Sequence, residues 1–260
     1  MKRTWGAQPG SGEVMKGLAW SLLALALGAC TFQVGDYQIE IGRVRARETP
    51  QVHTIERAIP QGDARRAEIS LVMAAGDLRV EPGAQALLEA VIQVDEPERE
   101  PEIRVTREGD RVRVIMRQPP EDLVGGGGRY NRWQVRLNPE VLTYLSIQVG
   151  AGRAQVDLQG MNLTGLGLEM GAGDATVDLR GGWARDIAVS IKRGVGNLTL
   201  VLPKGVGVRV SAIAGVGTLT LQGLTRQGDY YVNRAYGDSD ITLDIDLLGA
   251  VGSVYLRVEE

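Results

Sequence analysis

A corner of two small residues and a glycine recurs six times along the chain, and it dictates what such a chain can fold into. The copies are Ala74-Ala75-Gly76, Gly150-Ala151-Gly152, Gly171-Ala172-Gly173, Gly194-Val195-Gly196, Gly215-Val216-Gly217 and Ala250-Val251-Gly252. From one final glycine to the next the intervals are 76, 21, 23, 21 and 35 residues. Apolar residues flank each corner seven, five and three positions before its final glycine and two and four positions after it. Around Gly173 these are Leu166, Leu168, Met170, Ala175 and Val177. Of the 30 equivalent positions 28 are apolar, the exceptions being Arg193 and Gly249. Alternation with a period of two marks half-buried strands. The parity is odd before the corner and even after it, so one extra residue is absorbed there and the chain bends. Glycine tolerates the positive φ that such a bend needs. A strand–corner–strand unit of 21 to 23 residues cannot bury its own apolar row, whereas stacked copies form a continuous core. The expected fold is therefore all-β, a β-solenoid of about six such units. An antiparallel meander with each corner as a hairpin turn is the alternative.

Two insertions interrupt the series. Residues 83–143 contain Ile103-Arg104-Val105-Thr106 and Arg111-Val112-Arg113-Val114-Ile115-Met116 around Glu108-Gly109-Asp110, which reads as an inserted β-hairpin with a charged outer face. Pro119-Pro120 and the run Gly125 to Gly128 follow. No Lys-Ser/Thr or helix start succeeds those glycines, so they read as a loop rather than a phosphate cradle. The second insertion, Thr225 to Asp238, separates the last two corners and carries Tyr230, Tyr231, Asn233, Arg234 and Tyr236.

The N-terminus reads as an address. Lys16 precedes the apolar run Leu18 to Leu27, which is too short to span a bilayer but suits the hydrophobic region of a signal peptide. Met15 would give it a tighter basic start than Met1. The run ends in Leu27-Gly28-Ala29-Cys30, which resembles the bacterial lipobox and holds the single cysteine of the chain. That resemblance implies lipid attachment at Cys30 and a protein held on the membrane by two or three acyl chains. The division expected is a signal peptide over 1–29, a polar tether over 30–64 with a brief strand near Val34 to Ile41, and the β-repeat domain over 65–260.

Composition removes much chemistry. One cysteine excludes an internal disulfide framework and a cysteine-cluster zinc site, and one histidine, His53, excludes multi-histidine metal sites. A net charge of −3 gives no basic field for nucleic acid. Asp157, Asp174 and Asp178 are the candidates for paired carboxylates of a glycan-cleaving enzyme, but they sit at outward parity and read as solvated face. Ser190 and Ser211 have no nucleophile motif around them. Arg193, charged at a core column, either marks a pocket or snorkels outward. No catalytic residue, cofactor or metal is expected.

The corners, Leu137-Asn138-Pro139, and the stretch Gly223-Leu224-Thr225-Arg226-Gln227-Gly228-Asp229 through Tyr236-Gly237-Asp238-Ser239 resemble the toastrack domain. That domain occurs in cell wall-active antibiotic response (LiaF-like) proteins and in the "putative adhesin" family. The resemblance covers residues 66–258. It implies a non-enzymatic β-repeat module at the outer face of the membrane, in envelope-stress sensing or cell-surface assembly with membrane-sensor proteins. The chain departs from LiaF-like proteins in showing a lipobox rather than transmembrane helices.

The tyrosine insertion is the candidate partner surface, because Tyr230, Tyr231, Asn233, Arg234 and Tyr236 join aromatic area to hydrogen-bonding tips. The competing role for it is a cap on the open end of the stack, with its rings on the last coil. Arg104, Arg111 and Arg113 either touch anionic lipid or form a plain solvated face. The function expected is a lipid-anchored, extracytoplasmic, non-catalytic binding module. The rivals are a β-helix enzyme acting on cell-wall or surface polysaccharide, and self-association through an uncapped edge.

Overall fold

The computed structural model describes residues 31–34, 37–40, 51–119 and 130–260. The signal segment, Cys30 and the run Gly125 to Gly128 lie outside these residues. Two compact units divide the chain, Met1–Thr49 and Pro50–Glu260. In the first, β1 (Thr31–Val34) pairs antiparallel with β2 (Tyr37–Glu40), so the brief strand expected near Val34 is one arm of a hairpin.

In the second unit, each corner joins the two strand arms of one coil, and each arm pairs parallel with the same arm of the neighbouring coil. The first three coils are unbroken bent strands: β4 (Arg66–Pro82), β9 (Leu142–Asp157) and β10 (Leu163–Asp178). The other three are split at the corner into β11 (Ile187–Val195) and β12 (Leu198–Pro203), β13 (Gly207–Val216) and β14 (Leu219–Gln222), and β17 (Thr242–Val251) and β18 (Val254–Glu259). Every pairing between coils is parallel, and the register holds throughout except for one bulge between Leu163 and Gly165. Leu145 lies beside Leu166, Leu166 beside Val189, and Val189 beside Ile245. The meander is thereby excluded.

The glycines explain why the layers can approach. All six final corner glycines have φ between 120° and 155°. A Cβ on Gly152 would overlap the carbonyl oxygen of Gly76, and the same holds for Gly173 over Gly152 and Gly196 over Gly173. The ladder continues with Gly252 over Gly196 and Gly217 over Gly252. That order carries a topological surprise. The sixth coil is inserted between the fourth and the fifth, with β17 between β11 and β13 and β18 between β12 and β14. The repeats are not stacked in chain order, because the second insertion carries the chain around the fifth coil and back.

The two exceptions to the apolar pattern explain one another. Arg193 and Gly249 are register partners in adjacent coils. The missing side chain of Gly249 leaves room for the guanidinium, since a Cβ there would lie 3.4 Å from Arg193 Nε. Arg193 is buried and donates from one terminal nitrogen to the carbonyl of Gly196. Burial lowers its pKa, partly opposed by Asp174.

The first insertion seals the N-terminal end of the stack. The hairpin of β6 (Glu102–Glu108) and β7 (Arg111–Arg117) forms as expected, and β7 adds parallel to the first arm of β4. The second arm of β4 is paired by β8 (Asn131–Leu137), then by β5 (Leu88–Val94) and β3 (His53–Ile59) in antiparallel order. Residues 53–59 are therefore part of the sheet and not tether, which moves the start of the domain from 65 to about His53. The edge strand β3 shows water one face and most of its length, so its apolar alternation is reduced to Ile55 and Ile59. At this end the corner amides have no further coil to meet. Gln118 Oε1 accepts from the Ala74 and Ala75 N–H groups at 2.8 and 3.2 Å, and Asn131 Nδ2 donates to the Ala75 carbonyl at 2.7 Å.

One hydrophobic core runs between the two arms of the coils. Leu158, Met161, Leu179 and Trp183 close it on the turn side, the Trp183 indole donating to the Leu179 carbonyl at 3.0 Å.

Candidate functional site

The tyrosine insertion forms a short hairpin of β15 (Thr225–Gln227) and β16 (Tyr230–Val232), turned at Gly228 with φ 62°. The strand β16 runs antiparallel to β13 but meets it at only two positions, Val232 beside Arg209 and Tyr231 beside Val210. The hairpin thus caps part of the fifth coil, which is the end of the stack in space, rather than the last coil in sequence. The side chains of β16 turn inward along its length. Tyr231 packs against the core, Val232 is buried, and Tyr230 faces water. The Arg209 guanidinium lies 4.9 Å from the Tyr230 ring centroid, within cation–π range. The same Arg209 grips Asp244 by donating from Nε at 3.0 Å and from one terminal nitrogen, and this carboxylate raises the arginine pKa.

Asn233 has a different task from the one its composition suggested. It is buried, and its amide is used within the chain. Its Oδ1 accepts from the Val208 N–H at 2.9 Å, while Nδ2 donates to the carbonyls of Pro203 at 3.1 Å and Val206 at 2.7 Å. Asn233 staples the cap to the turn entering β13 and is not presented to a partner. Asn233→Leu leaves three buried backbone groups without this partner, so it is expected to lower stability by about 2–4 kcal/mol in urea unfolding. Arg234→Ala, at an exposed neighbour, is expected to change it by less than about 0.5 kcal/mol. Of the five residues singled out in the insertion, Tyr230 and Arg234 are exposed, Tyr231 and Tyr236 are half-buried, and Asn233 is interior.

The candidate carboxylates are held by their own chain. Asp157 Oδ1 accepts from the Gln159 N–H at 3.0 Å, and Asp174 Oδ1 accepts from Asn197 Nδ2 at 2.8 Å. Asp178 is gripped by Arg180 at 2.7 Å and by Gln159 Nε2 at 3.0 Å. Burial opposes its charge, but these hydrogen bonds prevail and hold its pKa below the usual value. Among the described residues, no group of three or more His, Cys, Asp or Glu side chains is placed to hold a metal. No helix among them is long and apolar enough to cross a membrane.

Two further surface features stand out, the first of them beside Arg193, which the sequence offers as a marker of a pocket. An open groove of about 610 Å³ crosses the corners of the first four coils, lined by Met73, Val149, Met170 and Arg193, with Glu169 and Lys192 paired across its mouth at 3.2 Å. Beyond the groove the surface turns apolar. The middle residue of the corner is alanine in the first three coils and valine in the last three, so Val195, Val251 and Val216 form an exposed row. Leu248 and Ile213 form a second row beside it. The change from Ala75, Ala151 and Ala172 to valine was the available signal.

Comparison with known proteins agrees with this architecture. The family model described as "N-terminal domain of toast_rack, DUF2154" matches residues 47–201, a stretch that takes in β3 and the first four corners. Among curated proteins, none matches the chain. Among solved structures, a "putative cell adhesion protein" from Clostridium sporogenes is 26% identical with a TM-score of 0.77, the match covering 80% of this chain and 100% of that one. A "putative adhesin" from Bacteroides fragilis is 13% identical over 80% of this chain and 98% of that one. Its TM-score of 0.31 is too low to bear on the fold. With its stacked glycine corners and a family match over more than half its length, the chain belongs to the toast-rack family.

Proposed function

We propose that this protein is a lipid-tethered, extracytoplasmic binding module that brings envelope proteins together and performs no chemistry of its own. The observation that carries this reading is the exposed apolar surface of Val195, Val251, Val216, Leu248 and Ile213, set beside Asp174, Asp178, Glu169 and Lys192, whose charges are met within the chain. Contiguous apolar surface on a folded domain marks a place of contact. The likeness to a structure named as a cell adhesion protein supports the same reading. The setting, sensing or assembly at a stressed envelope with membrane-bound sensor proteins, follows from the family resemblance. The anchor follows from Leu27-Gly28-Ala29-Cys30, whose thiol takes the lipid.

The test is fractionation of bacteria expressing the full chain, with the mass of the mature protein read in parallel. The native chain is expected in the membrane fraction with acyl groups on Cys30. Cys30→Ser is expected to lose the acyl mass and to lose the lipid anchor, since one hydrophobic signal without acylation does not hold a processed protein. A native chain recovered processed and free of lipid overturns the anchored reading.

A further inference from the structure

The two ends of the stack are finished differently. At the N-terminal end the outermost strands are β6, with Glu102, Arg104, Arg107 and Glu108, and β3, with Glu56 and Arg57. Charged edges of this kind discourage pairing with another sheet. The corner amides there are met by Gln118. At the other end, the cap strand β16 pairs with Arg209 and Val210 of β13 and goes no further. Among the described residues, the outer edge of β13 from Ser211 onward and the outer edge of β14 have no strand beside them. No side chain plays the part of Gln118 at that corner among the described residues.

The core is open at the same place. Of the pattern positions described, Ala212, Leu219 and Leu221 are the three apolar ones that are only half-buried, and all belong to the fifth coil. Outside them, Ile213 and Val216 are 66% and 74% exposed. The twelve residues Ser211 to Gln222 carry no charge. Such an edge meets no like-charge repulsion when it faces itself, whereas a charged partner would find nothing to pair with.

From these observations we infer that the outer edge of β13 and β14 docks a second copy of this chain, related by a two-fold axis through the corner. About that axis, β13 of one copy lies antiparallel to β14 of the other, and the reverse. Both open edges then gain backbone hydrogen bonds, and the two half-covered rows of Ala212, Leu219 and Leu221 face each other. The pairing closes at two copies, because the opposite ends are sealed. Twelve residues at ~3.3 Å each give an edge ~40 Å long, and with a sheet ~10 Å deep the face is ~400 Å² per copy. That area lies at the low end of specific interfaces, so the dimer is weak in free solution.

The test is sedimentation of the purified full chain carrying Cys30→Ser, over roughly 5–500 µM, the range a small interface requires. The mass is expected to rise from one chain to two, and Ile213→Lys is expected to stay at one chain with an unchanged melting midpoint. Association through the N-terminal apolar run would not respond to Ile213→Lys. A second arm places single cysteines in a Cys30→Ser background. Mixed Ile213→Cys and Thr220→Cys chains are expected to form an interchain disulfide several-fold more than either variant alone. A constant one-chain mass, growth past two chains, or doubling that Ile213→Lys leaves intact overturns the inference. So does a chain that stays single while the Ser211 to Gln222 amides resist hydrogen exchange, because another segment then fills the edge. The lipid anchor plays no part in either arm.

Discussion

Gly173→Ala is expected to destabilise the domain by about 3–5 kcal/mol, enough to unfold much of it at 37 °C. Two effects add. The residue has φ 120°, a conformation that side chains rarely adopt. Its Cβ would also overlap the Gly152 carbonyl oxygen, which is backbone and cannot turn aside. Relief would require the second and third coils to separate, and that would break the register from Leu166 to Asp178. The matched control is Gly182→Ala, where a Cβ meets nothing within 4 Å and φ is not positive, and it is expected to fall within about 0.5 kcal/mol of the native chain. Urea unfolding followed by far-UV circular dichroism measures both. Equal stability of the two variants would mean that the coils are not stacked this closely.

Deleting residues 242–260 is expected to abolish the folded state. In most stacked-repeat proteins a terminal repeat can be removed with loss of one interface. Here the terminal coil has two, since β17 and β18 each lie between strands of the fourth and fifth coils. Five of its apolar side chains, Leu243, Ile245, Leu247, Val254 and Leu256, are buried. At ~1.5–3 kcal/mol each their loss amounts to roughly 7–15 kcal/mol, as large as the whole net stability of a typical domain. The fifth coil would also lose the strands that pair it to the fourth, leaving it and its cap held by the chain itself and by the Asn233 bond to the Pro203 carbonyl. Limited proteolysis is the direct measurement. Full-length chain should yield a resistant fragment starting near His53, and the truncated chain should be degraded throughout.

The strands and their corners were legible in the sequence because period two and a parity change at glycine have one simple structural meaning. The same columns hid the stacking order. Val189, Val210 and Ile245 are interchangeable as core residues, so nothing in them says that the coil of Ile245 lies between the other two. The strand β5 was overlooked because Leu88, Ala90, Ile92 and Val94 alternate without a glycine corner to mark them as a coil. Among the site residues, Tyr230 and Arg234 emerged on the surface as composition suggested, but Asn233 did not. A polar residue next to tyrosines looks the same in sequence whether its amide faces water or satisfies three backbone groups. Arg193 resolved only when its neighbour was known to be Gly249, a pairing between residues 56 positions apart.

The placement of β17 and β18 also bears on when this molecule becomes rigid. The layer between the fourth and fifth coils is supplied by residues 242–259, so those two coils cannot be joined before that later stretch has been made. Until then the fifth coil and its cap have no paired strand of the stack to rest on, so the order in which the coils are made and the order in which they can be assembled part company at this end.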